Sequence, residues 1–106
     1  MPSPRYQILA RGDNTREVES FLRQWLGPLL DYDARQGTEL TKTLAQYLEC
    51  GGNYDETDDT LVIHRSTLRY RLQRIREVTG LELNDVDSRF NLHVATRAWR
   101  ILGATP

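Results

Sequence analysis

The sequence predicts an all-α fold, a small helical bundle, on three observations. Apolar residues recur at three- and four-residue spacing through most of the chain, capping residues and glycines punctuate that pattern at helix-length intervals, and the strand-like runs are short. The 106 residues suffice for one hydrophobic core, so a single domain over 13–106 is expected. With 39% hydrophobic and 27% charged residues the chain is globular in composition.

Residues 1–12, MPSPRYQILARG, open with two prolines and carry a short YQIL run; an extended or poorly ordered segment is expected there. Asn14 with Glu17 reads as a capping box, and Val18, Phe21, Leu22, Trp25 and Leu26 follow at helical spacing. Gly27-Pro28 should interrupt that first helix, with one short helical piece between Pro28 and Gly37. Thr38 opens the next, with Leu40, Leu44, Tyr47 and Leu48 on one face until Gly51-Gly52 stops it. Asn53 and Glu56 form a second capping box and start a short helix ending near Leu61. After the apolar connection LVI, a helix from about Arg65 carries Leu68, Leu72, Ile75 and Val78 inward and stops at Gly80. Asp85 begins the last helix, in which Phe90, Val94, Ala98 and Ile101 are expected to face the core.

Charge is sorted along this chain. The formal net charge is -1, yet residues 65–76 hold five arginines, while DETDD, Asp55 to Asp59, holds four acids and no base. Stepping 100 degrees per residue from Leu68 leaves Ser66, Arg69, Tyr70, Gln73 and Arg74 facing away from the apolar sector. A short helix, a tight apolar turn and a second helix with a polar outer face is the sequence form of a helix-turn-helix, here at about 53–79. In that motif the first turns of the second helix enter the major groove. His64, Arg65, Ser66, Arg69 and Gln73 are therefore the candidates for base edges, and arginine reads guanine through two parallel hydrogen bonds. Thr67, Tyr70, Arg71, Arg74 and Arg76 are the candidates for phosphate, which positions the protein without reading sequence. The plainer reading is a solvated helix face whose arginines pair with the acids upstream.

The run from Gly51 to Arg97, GGNYDETDDTLVIHRSTLRYRLQRIREVTGLELNDVDSRFNLHVATR, resembles the C-terminal helix-turn-helix domain of the PucR family of purine-catabolism and sugar-diacid transcriptional regulators. LGPLLDYD at 26–33, YLECGGN at 47–53, HRSTLRYRLQRI at 64–75 and DSRFNLH at 87–93 are its most specific parts, and the similarity runs from about Ile8 onward. The resemblance implies a DNA-binding output domain of a bacterial regulator in the cytoplasm, working as a homodimer or higher oligomer. The sensory regions of such a longer regulator are expected to lie outside this chain. One position departs from the pattern. Where the family's first motif helix places a small residue against the second, this chain has Asp58. That carboxylate must reach water, find an arginine such as Arg71 or Arg74, or shift its helix outward.

Other chemistry is poorly supported. His64, His93 and Cys50 match no zinc spacing, so neither metal nor cofactor is expected. No phosphate loop, nucleophile elbow or paired-carboxylate pocket is legible, so no catalytic residue is assigned and an enzyme is not expected. A lone cysteine forms no internal disulfide, and no run is long and apolar enough for a membrane span. Trp25 reads as core; Trp99, between Arg97 and Arg100, reads as a candidate dimer contact. Two function classes remain. One is a domain that reads double-stranded DNA; the other is a protein-interaction or dimerisation module whose acidic first helix has ended DNA binding.

Overall fold

The computed structural model describes residues 15–103, in which every regular element is a helix: α1 (Thr15–Gln36), α2 (Leu40–Glu49), α3 (Tyr54–Leu61), α4 (Arg65–Thr79) and α5 (Val86–Ile101). The expected extended segment and the Asn14 cap lie outside the described residues.

Helix α1 is unbroken, which corrects the expectation of a stop at Gly27-Pro28. A proline inside a helix removes one backbone donor and crowds the preceding turn. Here Pro28 and Gln24, whose carbonyl loses that donor, are both exposed, so water can satisfy the orphan oxygen. Leu26 and Leu29 on either side are fully buried, and their burial holds the two halves in line.

Helix α2 begins at Leu40, two residues later than Thr38, and its local cap position, Glu39, makes no side-chain cap bond. The cap comes from α1 instead. Asp33 Oδ1 accepts from Leu40 N at 2.8 Å and Thr38 Oγ1 at 2.6 Å, while Oδ2 accepts from Thr41 N at 2.9 Å and Thr41 Oγ1 at 2.7 Å. One carboxylate thus satisfies two orphan donors of the first turn and fixes α2 against the end of α1. At the other end Gly51, with positive φ, and Gly52 return hydrogen bonds to Leu48 and Tyr47, the paired closure that a left-handed residue allows.

The core is one cluster drawn from four helices and a loop: Leu26, Leu29, Leu40, Leu44, Tyr47, Leu48, Leu68, Leu72, Ile75, Leu83, Leu92 and Ala95. Phe21, Leu22, Trp25, Val78 and Trp99 pack against it half-buried. Helix α5 buries Ala98 as expected and half-buries Val94, but the rest of its inward face differs from the expected one. Phe90 is 57% exposed and Ile101 is exposed too, while Leu92, Ala95, Thr96 and Ala98 are buried. Small residues line this seam because α1 and α2 approach it closely; choosing the bulkiest apolar residues shifts the deduced stripe around the helix. Helix α3 packs chiefly on α2 and α4 and so lies outermost.

Candidate nucleic-acid interface

Asn53 caps α3, its side chain accepting from Glu56 N at 2.9 Å, as the Asn53–Glu56 spacing predicted. On α3 the fully buried residue is Thr57, whose hydroxyl donates to Asn53 O at 2.7 Å. That places the polar group facing the neighbouring helices one position before Asp58.

Helix α3 closes with the same paired bonds as α2: Val62 N donates to Asp59 O and Ile63 N to Asp58 O. Val62 occupies the left-handed position at φ 54, ψ 53, with its side chain 87% exposed. A β-branched residue there is strained, yet this geometry sets the angle at which the chain enters α4. His64 is the N-cap residue of α4; its side chain makes no cap bond and is exposed, so the imidazole stands open at the head of the helix.

Leu68, Leu72 and Ile75 seat α4 on the core, and the opposite face carries Ser66, Arg69, Tyr70, Gln73 and Glu77, all exposed. The five arginines occupy different environments. Arg69 is exposed and forms no ion pair or hydrogen bond among the described residues; Arg76 is half-buried and likewise unpaired. Arg71 donates to Thr43 Oγ1 on α2 at 3.0 Å, tying the middle of α4 to the helix behind it. Arg74 reaches Glu77 at 3.2 Å, donates to Tyr70 Oη at 3.2 Å and lies 5.6 Å from the centre of the Tyr70 ring. Thr67 is half-buried beside this face, and Gln73 makes only a long contact to Glu77 at 3.4 Å.

Arg65 turns back onto α3. Its Nε donates to Asp58 Oδ2 at 2.7 Å, its Nη2 contacts Asp55, and its guanidinium carbon lies 5.2 Å from the centre of the Tyr54 ring. The hydrogen bond that Arg65 donates to Asp58 raises the guanidinium's pKa further, with the charges of both carboxylates adding to the effect. Asp58 has therefore found an arginine, but it is Arg65, rather than Arg71 or Arg74. Asp58 Oδ1 is buried and has no hydrogen-bond partner among the described residues, so the carboxylate is satisfied on one side only. Sequence spacing points to the middle of α4, whereas the turn brings its first residue over Asp55 and Asp58.

A second ionic cluster ties α2 to α5: Glu49 accepts from Arg97 at 2.7 and 3.0 Å and lies 2.9 Å from His93 Nε2. Arg97 first, and then His93, hold the Glu49 pKa down at about 2. This places His93 in a structural ion-pair cluster. No group of His, Cys, Asp and Glu suited to a metal ion occurs among the described residues, and none of their helices is long and apolar enough to cross a membrane.

The model of the PucR C-terminal helix-turn-helix domain matches residues 40–98, which takes in α2, α3, α4 and most of α5. A Thermomonospora curvata protein, described as an uncharacterized protein in the pkwA 5' region, is 36% identical over 94 residues, 89% of this chain and 49% of that one. The DNA-binding transcriptional activator AdeR of Bacillus subtilis is 28% identical over 89 residues, 84% of this chain and 21% of AdeR. The carbohydrate diacid regulator of Escherichia coli is 46% identical over 56 residues, 53% of this chain and 14% of that protein. The chain thus spans about half the length of the first relative and about a fifth or less of the other two. No solved structure matches.

Proposed function

The chain belongs to the family of PucR C-terminal helix-turn-helix domains, and from that premise we propose that it binds double-stranded DNA with α4 in the major groove, as the output domain of a bacterial transcriptional regulator. The observation that carries this reading is the outer face of α4. Ser66, Arg69, Tyr70 and Gln73 form one exposed polar stripe on a helix anchored from behind, and Arg69 in that stripe is uncommitted. An uncommitted guanidinium on a rigid helix can meet a guanine edge with little reorganisation.

In this reading Arg69, Gln73, Ser66 and the open His64 face base edges, with Arg65 beside them at the head of the helix. Thr67, Tyr70, Arg74 and Arg76 flank them along the phosphates. Arg71 acts mainly by fixing α4 to Thr43. One α4 covers a half-site, so useful affinity requires a second copy or the oligomerising part of a longer regulator. Such a domain would work in the cytoplasm beside the chromosome. That AdeR is described as a DNA-binding transcriptional activator supports the reading.

The test is fluorescence anisotropy against duplexes selected from a randomised pool, over a range of salt. Log affinity should fall linearly with log salt. Arg69→Ala should lose about 1–3 kcal/mol on the selected duplex and relax preference at one base position, while Arg76→Ala should weaken all duplexes alike and lower the salt slope by about one. Binding without salt dependence, or equal behaviour of the two variants, contradicts the assignment.

A further inference from the structure

We propose that Asp58 withholds Arg65 from DNA, so that the carboxylate at this one position limits the affinity and sets the base preference of the α4 surface; this rests on the DNA-binding reading above.

Arg65 is the first residue of α4, at the end of the helix that enters the groove, yet it is bound on three sides by α3. Tyr54, Asp55 and Asp58 stand at i, i+1 and i+4 of one helix and present a ring and two carboxylates to one guanidinium. A guanidinium has five N–H donors in a rigid fork, and a bidentate guanine contact uses two parallel ones. Here Nε and Nη2, which form one such edge, are directed at α3. Arg65 can present this Nε–Nη2 edge to a base only by leaving Asp58.

Leaving is unfavourable but not prohibitive. The Asp58 side chain is only 13% exposed, so releasing the arginine strands a mostly buried charge. The contact is also imperfect, because Asp58 accepts through one oxygen while Oδ1 has no partner. Asp55 is well exposed and holds weakly, since water competes for it. Asp58 is therefore the dominant holder, and α3 and DNA compete for the same donors. Asp59, on the same helix and exposed, carries the same charge without touching Arg65. It serves as the control for charge alone.

Three variants of the full chain, Asp58→Ala, Asp59→Ala and the double variant Asp58→Ala/Arg65→Met, are compared with the natural sequence by anisotropy on selected duplexes. The pool selection is repeated for Asp58→Ala. The double variant avoids Arg65→Met alone, which would leave Asp58 unpaired and could unfold the motif. Asp58→Ala should bind more tightly than Asp59→Ala by on the order of tenfold, the size of one good guanidinium–base contact, and should gain guanine preference at one additional position. The double variant should lose that gain. In nitrogen-15 spectra the Arg65 Nε–H should exchange slowly with water in the natural protein and much faster in Asp58→Ala. Equal gains for Asp58→Ala and Asp59→Ala, or a gain that survives in the double variant, overturn the proposal. If no variant binds any duplex, DNA binding itself fails; a protected Arg65 Nε–H would then mark the contact as a structural strut only.

Discussion

Replacing Asp33 with alanine removes the cap that α2 receives from α1, and the size of the loss can be worked out from its partners. Four hydrogen bonds between 2.6 and 2.9 Å end on this carboxylate, two from backbone N–H groups and two from threonine hydroxyls. A lost N-cap costs about 0.5–2 kcal/mol, and a hydrogen bond to a charged group contributes about 1.5–3 kcal/mol. The terms do not add, because Thr38 is exposed and water replaces Asp33 there. Thr41 is fully buried and its hydroxyl has no such recourse. A net destabilisation of about 2–3 kcal/mol follows for Asp33→Ala, which for a domain of this size lowers the midpoint by roughly 10–20 °C. Asp33→Asn keeps one acceptor oxygen and should lose about half as much. Thermal unfolding followed by circular dichroism measures both. A loss under about 0.5 kcal/mol for the alanine variant would refute the cross-helix cap as a determinant of stability, as would equal losses for the two variants.

Four further substitutions probe three separate features. Val62→Gly relieves a β-branched residue from the left-handed region at φ 54 while removing an exposed side chain, and should stabilise the fold by about 1 kcal/mol in urea titration. Glu49→Gln reports on the α2–α5 ion cluster. The folded pKa of about 2 lies below the ordinary 4.5, so its contribution is present above pH 4.5 and is lost as pH falls toward 2. The variant should be less stable at neutral pH by at most about 1 kcal/mol, because the cluster is solvent-washed, and its stability should fall less between pH 4.5 and 2 than that of the natural protein. Gly52→Ala meets both a positive φ of 81° and the Arg89 guanidinium, which lies against Gly52 and near the Tyr47 ring; Gly51→Ala meets the positive φ with open space around it. Both should destabilise by about 1–2 kcal/mol in the same titration, with the Gly52 variant the worse of the two.

The sequence made the helix-turn-helix legible because its signals are local. A cap three residues before its partner, a glycine after a last turn and leucines at helical spacing each depend on neighbours along the chain, and Asn53, Gly80 and Leu68, Leu72 and Ile75 behave as those rules require. The misreadings arose where distant parts of the chain decide. The proline rule sees only the turn around Pro28, whereas the burial of Leu26 and Leu29 keeps α1 intact. The cap of α2 comes from seven and eight residues away, on another helix, so Thr38 looked like the start of a helix it only approaches. On α5, Phe90 outweighs Ala95 in any hydrophobicity count, yet the alanine faces the core because close packing favours a small residue.

The same distinction governs the arginines, and it bears on how an acidic helix can sit beside the one proposed to read DNA. Counted along the chain, α3 contributes four acids and α4 five arginines, which suggests two opposed blocks. In space the opposition is local and unequal. Asp55 and Asp58 are spent on one guanidinium, Arg65, while Arg69 one turn further along is free of them. Of the remaining acids, both exposed on α3, Glu56 lies in the first turn, where the helix dipole favours negative charge, and Asp59 lies toward the other end. The arginine nearest the acids thus shields the next one, so under the proposed DNA-binding function an acidic first helix would weaken the reading surface at its leading residue while leaving its centre intact. Removing acids one at a time should therefore change DNA affinity according to whether each touches Arg65 and not according to charge alone.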